Sequence, residues 1–109
     1  MNEFLLIIKG MGPANPSPEE MQKALEAYMN WAGSLGKQYI DGQRLEPSGA
    51  HLTGDTIATD GPFLESKEII AGYVIISAKN LDEAVEIAKS SPLLEHCEIY
   101  VRPILSPPE

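Results

Sequence analysis

Five consecutive apolar residues, Phe4-Leu5-Leu6-Ile7-Ile8, open the chain and stop at Lys9-Gly10. A run this short and this rich in isoleucine reads as a buried β-strand rather than a helix. The pattern then changes. Gly10 to Pro16 breaks regular structure with two glycines and two prolines, so it reads as a loop. Ser17-Pro18-Glu19-Glu20 carries a helix start: a capping serine, proline at the first position and the Ser-x-x-Glu box. Met21, Ala24, Leu25, Tyr28, Ala32 and Leu35 recur at helical spacing and predict one apolar stripe facing a sheet, with Gly36 ending the helix in a left-handed conformation.

The middle is less regular. Asp41-Gly42 is a turn-favouring pair between Tyr39-Ile40 and Arg44-Leu45, and Pro47-Ser48-Gly49 adds a second break. The β-branched residues between Ala50 and Thr59 predict a bent strand or hairpin. Ile69 to Ile76 is a second apolar strand, in which Gly72 signals a bulge or a close approach. Asn80-Leu81-Asp82-Glu83 caps a second helix with Leu81, Ala84, Val85 and Ala88 on its apolar side, stopped by Ser91-Pro92. Ile99 to Ile104 reads as a finishing strand.

The order β-α-(β-β)-β-α-β predicts a single α+β domain spanning 1–109, ferredoxin-like, with two helices on one face of an antiparallel sheet. The strands near residues 5 and 73 are apolar at consecutive positions, so both faces of the sheet need cover. One helical layer hides only one face. A second copy packed sheet to sheet is the simplest cover, which predicts a homodimer.

Charge and composition narrow the partners. With 109 residues, 43% hydrophobic and 22% charged, the chain is neither disordered nor a membrane protein in composition. A net charge of −8 and scattered lysines and arginines disfavour direct nucleic-acid binding. No apolar run reaches the roughly 18 residues of a membrane span, and the first residues lack a secretory leader's basic start. The single cysteine, Cys97, excludes an internal disulfide and reads as an inert, buried thiol; a cytoplasmic location is expected.

The densest chemistry lies in Asp60-Gly61-Pro62-Phe63-Leu64-Glu65-Ser66-Lys67-Glu68, just ahead of a core strand. One reading places Asp60 at a pocket mouth as acid, base or polar anchor, with Lys67 and Glu68 tuning it. The other is a tight turn followed by a solvated charge run. His51 offers an imidazole or is simply an exposed histidine. Trp31 is core or pocket wall. Arg102 holds either an anionic ligand or an acidic side chain such as Glu98 or Glu68. His51 and Asp55 lack further ligands, so no metal site is expected. No phosphate-binding glycine loop or nucleophile elbow is present, and no cofactor is expected.

Asp60-Gly61-Pro62-Phe63, with Glu65, Lys67-Glu68, Gly72-Tyr73, Asp82-Glu83-Ala84 and the terminal Glu98-Ile99-Tyr100-Val101-Arg102-Pro103, resembles the signature of the DGPF group of YCII-related proteins. Strand one, the capped helix and Asp41-Gly42-Gln43-Arg44-Leu45 extend the resemblance over nearly the whole chain. It implies a dimeric α+β barrel of ferredoxin-like subunits, and it favours the pocket reading of Asp60. Some YCII-type relatives use a His–Asp pair with the histidine on the first helix, and one branch acts as a dehydrochlorinase. Here Pro18 to Gly36 contains neither histidine nor aspartate. The resemblance therefore implies a site in which Asp60, and His51 if it is near, handle protons for elimination or isomerisation of a small ring compound. Gly61, Pro62, Phe63, Tyr73 and Trp31 would shape that pocket, and Lys67, Glu68 and Arg102 would supply its charges. A non-catalytic alternative is an acidic dimer that binds an extracytoplasmic-function sigma factor, since members of this group are often encoded beside one.

Overall fold

The computed structural model describes residues 1–10, 15–55, 57–60 and 69–106, with 57–60 as backbone only. Strand β1 (Asn2–Lys9) leads into α1 (Pro18–Leu35), a short 3-10 turn (Gly36–Gln38) and β2 (Tyr39–Arg44). A hairpin of β3 (Gly49–Leu52) and β4 (Ile57–Asp60) follows, then β5 (Ile70–Ala78), α2 (Leu81–Lys89), a 3-10 turn (Pro92–Glu95) and β6 (Glu98–Pro103).

Four strands form one antiparallel sheet in the order β2-β5-β1-β6. Omitting the hairpin, this is the ferredoxin-like arrangement, with the first and third strands of the repeated strand-helix-strand unit in the middle. The hairpin makes its own two-stranded sheet. The expected bent segment between Ala50 and Thr59 is therefore a hairpin. Asp41-Gly42 is not the turn expected of it: both residues pair within β2, against Ile75 and Val74. The reason lies in packing, because residue 42 must lack a side chain to admit two tyrosine hydroxyls (below).

Alternation along β1 and β5 buries Phe4, Leu6, Ile8, Val74, Ile76 and Ala78 beneath the helices. Leu6, Ile76 and Val74 are fully enclosed, each stabilising the fold by about 1.5–3 kcal/mol relative to an exposed side chain. Helix α2 contributes Ala84, Ile87 and Ala88. Leu81, expected on its apolar side, is 46% exposed; Ile87 takes that place instead.

Both helix starts carry their caps. Ser17 Oγ accepts from Glu20 N at 3.1 Å and Glu20 Oε1 accepts from Ser17 N at 3.2 Å. Asn80 Oδ1 accepts from Glu83 N at 2.9 Å, but Glu83 Oε1 reaches further back, to Lys79 N at 3.0 Å and Gln38 Nε2 at 3.2 Å. That carboxylate thus ties α2 to the turn before β2. Helix α1 ends at Gly36 with φ 57° and ψ −125°, a positive φ that suits glycine but lies outside the left-handed helical region expected.

Only the second half of α1 packs. Trp31 is buried and Tyr28, Ala32 and Leu35 lie against the core, whereas Met21, Ala24 and Leu25 are exposed. The stripe read from the sequence is real in spacing, but its first two turns have no cover among the described residues. No described helix is long and apolar enough to cross a membrane.

Candidate functional site

The sheet topology gathers several loops at one end. Strand β1 finishes there at Lys9, β2 finishes at Arg44, and β5 and β6 begin there at Ile70 and Glu98. Ile69, the residue into which 61–68 runs, is buried, and its carbonyl accepts from Gly10 N at 2.8 Å. Leu45 N donates to Ala71 O at 2.8 Å, so the chain leaving β2 stays fastened to β5. Gly10 has φ 116° and lies close to Cys97: a Cβ there would be 3.4 Å from its Cα. Cys97 is half-buried in this packing, not fully enclosed as expected.

Arg44, Leu45, Glu46, Pro47, Ile69 and Ala71 line a shallow, broadly open hollow of about 430 Å³ at this end. Its wall combines aliphatic surface with one guanidinium and one carboxylate. Register places Asp60 opposite Gly49, two residues beyond Pro47. The partner of the acid singled out in the sequence thus follows a residue of the hollow's wall by two positions. Gly61, Pro62, Phe63, Lys67 and Glu68 lie outside the described residues.

The other residues named from the sequence are spread over three regions. His51 is exposed on β3, opposite Ala58 and two register steps from the Gly49–Asp60 pair. Trp31 belongs to the core between the helices. Its Nε1 donates to Ser90 Oγ at 3.0 Å, and its ring stands 5.9 Å from that of Tyr28. Tyr73 and Arg102 occupy the sheet face turned away from the helices, where register aligns them with Ile7 and Leu5. Trp31 therefore does not share a wall with Tyr73 or Arg102, because the sheet separates them. Sequence reasoning passed over Arg44 and Glu46, which line the hollow. The only signal was their position just after a strand and just before Pro47.

A second polar feature lies under α1. Tyr28 and Tyr39 hydroxyls are 2.9 Å apart. Burial pushes the Tyr28 phenol well above its ordinary range, and the bond to Tyr39 and the charge of Asp41 push it the same way. Such a phenol stays protonated and acts as a hydrogen-bonding group rather than as a base.

The YCII-related domain profile matches residues 3–106. The chain belongs to the YCII-related family. An uncharacterized protein of Rhizobium meliloti (strain 1021) is 41% identical over 63 residues, 53% of this chain and 48% of that one. The chain thus matches about half the length of that curated relative. Among solved structures, 5-chloro-2-hydroxyhydroquinone dehydrochlorinase from Burkholderia phenoliruptrix AC1100, in complex with 2,5-dihydroxybenzoquinone, aligns over 92% of this chain and 90% of its own. The TM-score is 0.52 and the identity 17%, a likeness of fold. The YCII-related chain accordingly has the ferredoxin-like α+β fold expected from its sequence, with the additional β3–β4 hairpin inserted after β2.

Proposed function

We propose that this YCII-related protein binds a small anionic or aromatic molecule at the hollow beside β2 and β5 and works as a homodimer. The observation that carries the reading is the composition of that hollow. Arg44 and Glu46 stand among Leu45, Pro47, Ile69 and Ala71 at the sheet end where β5 begins. Small-molecule sites have this character, a mostly apolar concavity with a few charged groups that orient the ligand. A guanidinium offers paired donors to a carboxylate or an enolate oxygen.

In this reading Asp60 exchanges protons with the ligand, and Gly61, Pro62, Phe63, Lys67 and Glu68 complete the pocket around it. The chemistry is elimination or isomerisation of a small ring compound by acid–base catalysis, with no cofactor. The quinone bound by the dehydrochlorinase of the same fold supports the ligand class. First-helix histidine chemistry is not available here, because α1 has no histidine. The proton-transfer role therefore falls to Asp60, with His51 as its partner.

The test is native mass spectrometry of the purified protein, followed by calorimetric titration with 2,5-dihydroxybenzoquinone and simple aromatic carboxylates. Asp60→Asn and Arg44→Ala are compared with the wild type. Binding by the wild type that Arg44→Ala weakens and Asp60→Asn alters is the expected result. Failure of every probe, with no co-purified small mass, would overturn the pocket.

A further inference from the structure

The helix-facing side of β2 carries Tyr39, Gly42 and Arg44, in that order toward the sheet end where the hollow lies. Tyr39 pairs with Ile76, Gly42 with Val74 and Arg44 with Gly72, all on the side of β5 that is buried beneath the helices. A register shift between Tyr39 and Asp41 brings Tyr39 and Gly42 to one face although they are three residues apart. Helix α1 runs the opposite way. Tyr28 therefore stands over Gly42, and the turns before it reach toward the end at which Arg44 sits. Leu25 and Met21, one and two turns back on the same stripe, are 39% and 58% exposed.

Two phenols in contact hold two protons, and only one lies between them. The other is left to donate outward, since among the described residues neither hydroxyl bonds a third group. Both tyrosines are only half-buried, so a ligand has access to the pair. Arg44 is exposed and makes no ion pair among the described residues. Positions two apart on a strand are separated by about 6.6 Å, which an arginine side chain spans, so its guanidinium is within reach of the hydroxyls over Gly42. Alternation turns Asp41 to the other face of β2, leaving Arg44 as the charged side chain that this strand presents toward α1.

We propose that the Tyr28–Tyr39 hydroxyl pair and Arg44 together bind the oxyanion of a small ring compound, a phenolate or an enolate, whose apolar body lies against Leu25 and Met21. The inference rests on the ligand reading of the preceding subsection and adds the atoms that select the ligand. A phenolic proton and a guanidinium converging on one oxygen make charge-assisted hydrogen bonds, stronger than those to a neutral hydroxyl. Burial, and after it the bond to Tyr39, keeps the proton on Tyr28, so the pair remains a donor. Leu25 and Met21 supply the apolar surface that a ring needs on the side opposite the sheet.

The test is titration of the full chain with 4-nitrophenolate at a pH of about 8.5, below the ordinary tyrosine range. The ligand's visible band moves to shorter wavelength when its oxyanion accepts hydrogen bonds, a signature that packing alone does not produce. The wild type should bind the phenolate with that shift. Tyr28→Phe combined with Tyr39→Phe should weaken binding about tenfold or more and abolish the shift. Each single substitution should weaken it about threefold, and these decide the matter if circular dichroism shows the double variant unfolded. Wild-type protein that does not bind the phenolate, or variants that keep its affinity and its shifted band, would overturn the inference. The hollow is judged separately: Arg44→Ala weakening the probes of the preceding subsection while the tyrosine variants bind normally would remove the tyrosines and keep the pocket.

Discussion

The hydroxyls of Tyr28 on α1 and Tyr39 on β2 lie 2.9 Å apart over the one position of β2 that has no side chain. A Cβ at Gly42 would run into Tyr39 Oη and stand 3.0 Å from Tyr28 Oη. The hydroxyl pair and the glycine are thus parts of one contact that seats the packed half of α1 on the edge of the sheet.

Gly42→Ala should therefore destabilise the protein by about 1–3 kcal/mol, the usual cost of overpacking. In a Tyr39→Phe background the same substitution should cost less, since the atom it strikes has gone. Urea denaturation of the four members of this cycle checks the coupling. Additive effects would show that Gly42 and Tyr39 act independently.

Alkaline stability should report on Tyr28. The phenol ionises near 10 when unfolded, and the folded state holds it higher. Between those two values the unfolded chain binds fewer protons, so stability falls as pH rises above about 10. Below pH 10 the term is constant. Tyr28→Phe should flatten this alkaline limb, whatever it does to stability at neutral pH. An unchanged slope between pH 9 and pH 11, pH values on either side of the ordinary tyrosine range, would contradict the assignment.

Gly72 answers to backbone rather than side chain. A Cβ there would stand 2.6 Å from the Gln43 carbonyl oxygen on the neighbouring strand. Gly72→Ala should push β2 away from β5 and loosen the hollow that Arg44 and Ala71 line. Hydrogen exchange should show the amides of β2 losing protection ahead of those in β1. Uniform protection across the sheet would mean that the strand pair absorbs the methyl group.

Trp31 is the chain's one tryptophan, and its indole N–H donates to Ser90 Oγ, which in turn donates to Ile87 O at 2.6 Å. Trp31→Phe should cost about 1–2 kcal/mol from the lost bond and reduced packing, and Trp31→Ala about 3–5 kcal/mol. Thermal unfolding followed by circular dichroism ranks the two. If Trp31→Phe melted with the wild type, the Ser90 contact would add nothing to stability.

Local chemistry determined much of the architecture from the sequence alone. The Phe4–Ile8 run and the apolar run from Ile69 become the two central strands, because runs of that length and branching fit a pleated layer better than a helix. Both helices begin where Ser17 and Asn80 can accept from a backbone N–H three residues on, an interaction that needs no partner from elsewhere in the fold. Ordered motifs likewise suffice for the family, since they persist over residues 3–106. What the sequence could not decide were relations between distant segments. Asp41-Gly42 has the composition of a turn, and only the Tyr39 hydroxyl, bonded to Tyr28 of α1, makes glycine a strand requirement there. Met21 and Leu25 share the stripe of Tyr28 and Leu35, yet only the latter pair packs against the core. Trp31 and Tyr73 as walls and Arg102 as a charge could belong to one pocket in the sequence, until strand alternation set the first on one side of the sheet and the other two on the opposite side. Periodicity fixes which residues share a face of their own element; which face meets which neighbour is settled by pairing register and packing, and these exist only once the chain has folded.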